Sequence, residues 1–171
     1  MKKLFKIIAI LVATLVLLVI VGLIRLNSDA QHVIIDGPAM EPTIHSNQRL
    51  TPTQYKVGEL PKRGDIVEYT SSNMLVRKYS KSGKLLHRII ALPGERVTID
   101  NNKVLVYNTQ NPDGFNPDAA YLSGDVVTAG AIDLKLGQNR YFVMGDNRPN
   151  ALDSRAFGPI AADDIIGKIS F

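Results

Sequence analysis

The sequence predicts a mainly β body tethered by one N-terminal transmembrane helix. Two observations predict it. Residues Ile7 to Ile24 form an uncharged apolar run of 18, interrupted only by Thr14 and Gly22. The rest of the chain consists of short β-rich runs separated by Gly, Pro, Asn and Asp, with no stretch of helical period longer than about two turns.

At 1.5 Å per residue the apolar run spans about 27 Å, close to the hydrocarbon thickness of a bilayer. Leu4 and Phe5 complete a crossing, with Lys6 snorkelling to the surface. A cleaved secretory signal would have an apolar region of roughly 7 to 15 residues followed by a small-residue cleavage site. Arg25, Leu26 and Asn27 follow instead, so a retained anchor is expected. Lys2, Lys3 and Lys6 precede the run and only Arg25 closes it, which places the N-terminus in the cytoplasm by the positive-inside rule. The expected organisation is a cytoplasmic N-terminus at 1–6, a transmembrane helix at 7–26 and an extracytoplasmic domain at 27–171. Within that domain a core (31–97 and 141–171) is expected to carry an insertion at about 98–140.

Charge and composition exclude several function classes. The chain has 20 Lys and Arg against 16 Asp and Glu, but four of the bases lie before Asn27 and no acid precedes Asp29. The body is therefore neutral and offers no basic footprint for nucleic acid. There is no cysteine, which excludes a disulfide scaffold, thiol catalysis and a cysteine-held metal. His32, His45 and His87 are scattered and make a weak case for any metal; no organic cofactor is expected either.

Strands are expected at His32 to Asp36, Gln48 to Thr51, Asp65 to Thr70, Leu75 to Lys78, Leu85 to Leu92, Arg96 to Ile99, Lys103 to Tyr107, Arg140 to Met144 and Ile165 to Ser170. Asn101 and Asn102 stand between two of these runs and read as a hairpin turn, because Asn tolerates positive φ. Gln110 to Ala131, rich in Asn, Pro, Asp, Gly and Ala, reads as an extended insertion between better patterned halves.

Five blocks carry the chemistry. Ile35-Asp-Gly-Pro-Ala-Met-Glu-Pro-Thr-Ile44 is a strand end, a Gly37-Pro38 turn and a small residue, Ala39, before Met40. Lys62-Arg-Gly-Asp-Ile-Val67, His87-Arg-Ile-Ile-Ala-Leu-Pro-Gly-Glu95, Met144-Gly-Asp-Asn-Arg148 with Asp153-Ser-Arg-Ala-Phe-Gly158, and Ile166-Gly-Lys168 follow in order. In sequence and order these blocks resemble those of type I signal peptidases, membrane-anchored serine peptidases, over nearly the whole chain.

That resemblance implies a signal-peptidase-like β-sheet or barrel body with a small β insertion, acting on signal peptides of exported preproteins at the membrane surface. Ala39 occupies the nucleophilic serine position of the Ser-Met-x-Pro-Thr pattern, and His87 occupies the position of the base, commonly lysine. An oxygen nucleophile needs a small residue at a tight turn, with backbone N–H groups facing the developing oxyanion. Gly37 and Pro38 supply the turn, and the Ala39 amide would be one oxyanion donor. Gly37 stands where some members place a hydroxyl donor. Imidazole titrates near 6.5 and can accept a proton at neutral pH without the burial a lysine base requires. Lys84, the nearest alternative base, is three positions away on a strand and points to the opposite face.

A histidine base needs an acceptor to fix its tautomer. The candidates are Asp146, Asp153 and Ser154, although Asp153 also suits a structural ion pair with Arg155. Ala151 replaces the serine that orients the lysine in lysine-type relatives. Substrate is expected as an extended strand against Val33 to Gly37, including Ile35, and against Met74 to Lys78 or Leu85 to Ile89. Apolar surface around Met40 is expected to touch the lipid bilayer. With Ala39 the chain should lack acyl-enzyme chemistry, either as an inactivated enzyme or as a non-catalytic preprotein-binding relative. A dedicated conjugation-type processing peptidase is a further alternative.

Overall fold

The computed structural model describes residues 2–27, 32–80, 82–124 and 126–170; most of the first residues of the expected extracytoplasmic domain, 28–31, lie outside the described residues. Two compact units result, one N-terminal and one from His32 onward. The first is helix α1 (Lys2–Asn27), whose large apolar side chains, Leu4, Phe5, Ile7, Leu11, Leu15 and Leu18 among them, are exposed. Among the described residues it is one helix long and apolar enough to cross a membrane.

The second unit is mainly β. Its strands are β1 (Val33–Ile34), β2 (Arg49–Leu50), β3 (Ile66–Thr70), β4 (Lys84–Ala91), β5 (Arg96–Asp100), β6 (Lys103–Tyr107), β7 (Ile132–Lys135), β8 (Arg140–Met144), β9 (Ile160–Ala161) and β10 (Ile165–Ile169). They form a two-stranded sheet β1-β2, a five-stranded sheet β10-β3-β4-β8-β9 and a three-stranded sheet β6-β5-β7. All pairings are antiparallel.

β4 is the spine. Every residue from Leu86 to Ala91 is buried, so both faces of this segment are covered and the polar His87 and Arg88 are carried into the interior with Ile89 and Ile90. Strands β5 and β6 alternate instead, turning Val97, Ile99, Val104 and Val106 inward against Ile90, Phe142 and Met144 of the larger sheet. The turn joining them has Asn101 and Asn102 at φ 48° and 62°, as a type I′ hairpin requires.

One expected strand is a helix. Leu75 to Lys78 belongs to α2 (Met74–Tyr79), because Asn73 caps it by accepting from the Leu75 N–H at 2.9 Å, and Val76 alone on it is buried. Strands β7 and β9 lie outside the runs expected from sequence; β7 completes the small sheet by pairing with β5, and β9 pairs with Arg140 and Tyr141.

Candidate active site

The segment bearing residue 39 is fixed from both sides. Ile35 donates to the Gln48 carbonyl at 3.0 Å and accepts from Asn47 at 2.8 Å, which ends the strand. Gly37 then adopts φ 89°, a value that β-carbon-bearing residues rarely reach, and its N–H donates to Ser46 Oγ. Beyond the turn, the Pro38 carbonyl accepts from Glu41 N–H at 3.0 Å and the Met40 carbonyl from Ile44 N–H at 2.9 Å. Met40 and Ile44 pack with Ile35, Ile66, Leu86 and Ile169. Met40 is only 1% exposed, so its own side chain anchors the turn in the core and offers no surface to lipid. Apolar side chains stand exposed at Ile34 on the same groove wall and on α2, at Met74, Leu75 and Tyr79.

The loop after β8 closes on this turn. The Asn147 N–H donates to the Ala39 carbonyl at 3.0 Å, and its side-chain amide to the Pro38 carbonyl at 3.1 Å. Gly145 makes the approach feasible, since a β-carbon there would lie 2.5 Å from the Ala39 carbonyl oxygen and would collide with the Ala151 side chain. The Ala39 N–H donates to no acceptor among the described residues, which leaves it available as a donor.

Asp146 takes two bonds from Arg88, Nε to Oδ1 at 2.8 Å and Nη2 to Oδ2 at 2.6 Å, plus one from the Thr43 hydroxyl at 2.5 Å. Arg88 reaches the Gly64 carbonyl and stacks on Tyr121 at 4.3 Å. Asp153 accepts from Arg155 Nε and Nη2 at 2.8 and 2.7 Å and from the Gly145 N–H at 3.1 Å. Ser154 Oγ accepts from the Val143 N–H at 3.0 Å. Arg148, fully buried, forks onto Asp118 and also reaches Thr128 and the Gly145 carbonyl, tying the loop to the 117–128 segment. Asp146, Asp153, Ser154 and Arg155 therefore all brace the loop, and none bonds to His87.

The partner of His87 is Tyr69. β3 pairs with β4 in a register that sets Val67 opposite His87, so Tyr69 lies diagonally beside it on the same face. Its hydroxyl is 2.7 Å from Nδ1, with both residues 0–1% exposed. Burial lowers the His87 pKa to about 4; the charge of Asp153 opposes this and that of Arg155 adds to it. Burial likewise pushes the Tyr69 phenol well above its ordinary value. Nε2 of His87 has no hydrogen-bond partner among the described residues. Tyr69 stands two residues after the Arg-Gly-Asp-Ile-Val block, but nothing in that run foretells the pairing, which the strand register determines.

A groove of about 830 Å³ runs past these groups, lined on one wall by residues 32–40 and on the other by Lys84, Leu85, Leu86 and His87. β8 pairs with β4 only from Arg88 onward, so the side of residues 84–87 away from β3 pairs with no strand among the described residues. Tyr79, Ser80 and Ser82 line its far end in place of Met74 to Lys78. Lys84 points away from His87 and contacts Glu68 at 3.5 Å.

Residues 7–171 match the family model described as signal peptidase, peptidase S26. The chain belongs to this signal peptidase family. Signal peptidase IB of Staphylococcus aureus strain Mu50 is 30% identical over 151 residues, covering 80% of this chain and 74% of that protein. Signal peptidase I P of Bacillus subtilis subsp. natto is 30% identical over 163 residues, covering 92% and 83%. The crystal structure of a signal peptidase I from Enterococcus faecalis V583 shares 23% identity and superposes with a TM-score of 0.47, covering 66% of this chain and 98% of that one. The family is one of serine peptidases, and this chain has alanine in the Gly37-Pro38 turn that the Gly145–Asn147 loop clasps.

Proposed function

We propose that the body is the extracytoplasmic domain of a signal peptidase I-type endopeptidase, carried on a membrane anchor with its N-terminus in the cytoplasm, and that this chain binds signal peptides of secretory preproteins without cutting them. The observation that carries the reading is the groove between residues 32–40 and the unpaired edge of β4, with Ala39 and His87 both on its wall. An extended peptide adding to that edge gains main-chain hydrogen bonds, while shallow pockets select small side chains.

Hydrolysis would need an oxygen at residue 39. A serine there would attack the scissile carbonyl as its proton passes to Nε2 of His87. The N–H of residue 39 would face the oxyanion, and His87 would return the proton to the leaving amine. Water activated by the same imidazole would then hydrolyse the acyl-enzyme. Only one neutral tautomer serves: Nδ1–H donates to the Tyr69 oxygen, leaving the lone pair on Nε2. With Ala39 the first step has no nucleophile.

The test uses the detergent-solubilised chain, its Ala39→Ser form and the Ala39→Ser, His87→Ala double variant, with a preprotein carrying an Ala-x-Ala site. Cleavage by the single Ala39→Ser variant alone is expected. If no form cuts while all still hold the preprotein, the chain is a membrane-tethered preprotein-binding relative, the second reading that Ala39 and Ala151 favour. Topology is tested separately: the absence of cysteine lets a single Asn150→Cys substitution report labelling by a membrane-impermeant maleimide in intact cells. Labelling only after lysis would reverse the orientation.

A further inference from the structure

The groove wall that leads to residue 39 has an inner and an outer face. Val33 and Ile35 turn inward to Met40, Ile44 and Leu86, whereas Ile34 and Asp36 are exposed on the outer face. The main chain alternates as well, because in a trans peptide a carbonyl and the N–H that follows it point in opposite directions. The Ile35 N–H bonds to Gln48, the Ile35 carbonyl to Asn47 and the Gly37 N–H to Ser46. The Ile34 carbonyl and both the N–H and the carbonyl of Asp36 therefore point away from β2, toward the groove they line. The Asp36 carboxylate joins no ion pair among the described residues. Arg49 is exposed on the same face, opposite Ile34 on β2.

Resting on the peptide-binding reading above, we propose that Asp36 is a specificity determinant of the groove, selecting a lysine or arginine at position −2 of the bound peptide. Two constraints set the register. The carbonyl of position −1 must lie at residue 39, so earlier residues of the peptide recede along the wall toward Val33. Side chains of a strand alternate between faces, and residues paired across strands share a face. Positions −1 and −3, small in an Ala-x-Ala site, turn inward with Ile35. Positions −2 and −4 turn outward, −2 beside Asp36 and −4 beside Ile34. Paired Cβ atoms stand about 4.5–5.5 Å apart, well within the reach of a long basic side chain to an exposed carboxylate. A cation at −4 would instead approach Arg49 across Ile34, so charge favours a base at −2 alone. The body is otherwise neutral and offers a basic peptide no general attraction.

The test measures binding of synthetic peptides to the full chain in an uncharged detergent at about pH 8, where histidine is neutral. The Ala39 form is used, so that no cleavage intervenes. Each peptide carries an Ala-x-Ala site with alanine, lysine or glutamate at −2, and one more moves the lysine to −4. Lysine at −2 should bind about two- to fivefold tighter than alanine, the size of an exposed cross-strand charge pair. The gain should shrink in about 0.5 M salt. It should vanish in Asp36→Asn and pass to the glutamate peptide in Asp36→Lys, while the alanine peptide binds all three proteins alike and so reports that they are folded. Lysine at −4 should bring no gain. An alanine peptide that binds without any preference at −2 overturns this proposal alone. So does a lysine preference that survives in Asp36→Lys, or a gain at −4 in place of −2. An alanine peptide that does not bind the unaltered chain overturns the peptide-groove reading and this proposal together.

Discussion

The Tyr69 hydroxyl lies 2.7 Å from Nδ1 of His87, in the place where an acid would stand in a Ser-His-acid triad. A phenol kept neutral by burial fixes the ring orientation without supplying negative charge, so it stabilises an imidazolium less than a carboxylate would. Tyr69→Phe in the Ala39→Ser form should lower kcat about tenfold to a hundredfold and leave KM nearly unchanged. The ring-nitrogen NMR shifts of His87 should move toward a tautomer mixture in the same variant. An unchanged tautomer signal would show that Tyr69 only fills space.

The pH dependence follows from the His87 pKa of about 4, held there chiefly by burial. The unfolded chain takes up a proton as pH falls through about 6.5, whereas the folded chain does not until about 4. Stability is therefore fully present above the unfolded pKa and declines as pH drops across this window, by roughly 3 kcal/mol in all. Urea unfolding at pH 7.5, 5.5 and 4.5, compared with His87→Gln, isolates the contribution. Equal acid sensitivity in the two proteins would remove His87 as its source. Cleavage by the Ala39→Ser form should likewise retain its base down to near pH 4, well below the fall near 6.5 of an ordinary histidine.

The small sheet was legible where the chain alternates, and the spine of the large sheet where Ile89 to Ala91 run apolar. Residues 96–107 show inward Val and Ile on either side of Asn101-Asn102, and Leu86 to Ala91 is buried throughout. Met74–Tyr79 misleads because four apolar or aromatic residues in six suit either state, and the Asn73 cap, a local hydrogen bond, decides for helix. Two-residue β9 has no period to read, and β7 is defined by its partner β5. At the site, the turn at Gly37 to Met40 and the loop at Gly145 to Asn147 stand out as sequence blocks. The pairs that give them chemical meaning, Tyr69 with His87, Thr43 with Asp146 and Glu68 with Lys84, bring together residues from different elements. They depend on strand register and tertiary closure that no single segment encodes.

Asp146 joins three blocks at once, holding Arg88 of β4 and Thr43 of the turn to the loop after β8. Its side chain is 1% exposed and that of Arg88 10%, so Asp146→Ala leaves a buried guanidinium without its counter-charge. A loss of about 3 to 5 kcal/mol is expected. Thr43→Val, which removes one hydrogen bond, should cost about 1 to 3 kcal/mol. Denaturant titration of both and of the double variant tests the coupling: the two losses should sum to more than the double variant shows, since Thr43 acts through Asp146.

Gly145 controls the placement of residue 39. In Gly145→Ala the new β-carbon would meet the Ala39 carbonyl oxygen and the Ala151 side chain, so the loop and the turn must separate. Overpacking of this kind costs about 1 to 3 kcal/mol, but the larger effect is positional, because the Asn147 bond to the Ala39 carbonyl is lengthened. A displacement of about 1 Å is enough to reduce a reaction about a hundredfold. Gly145→Ala in the Ala39→Ser form should therefore abolish most preprotein cleavage while peptide affinity changes little. Gly137→Ala serves as the control: its β-carbon would rest 3.8 Å from Arg140 Cγ, an ordinary contact. Stability there should stay within about 0.5 kcal/mol. Equal cleavage by the two variants would show that the close approach at Gly145 does not govern the geometry of residue 39.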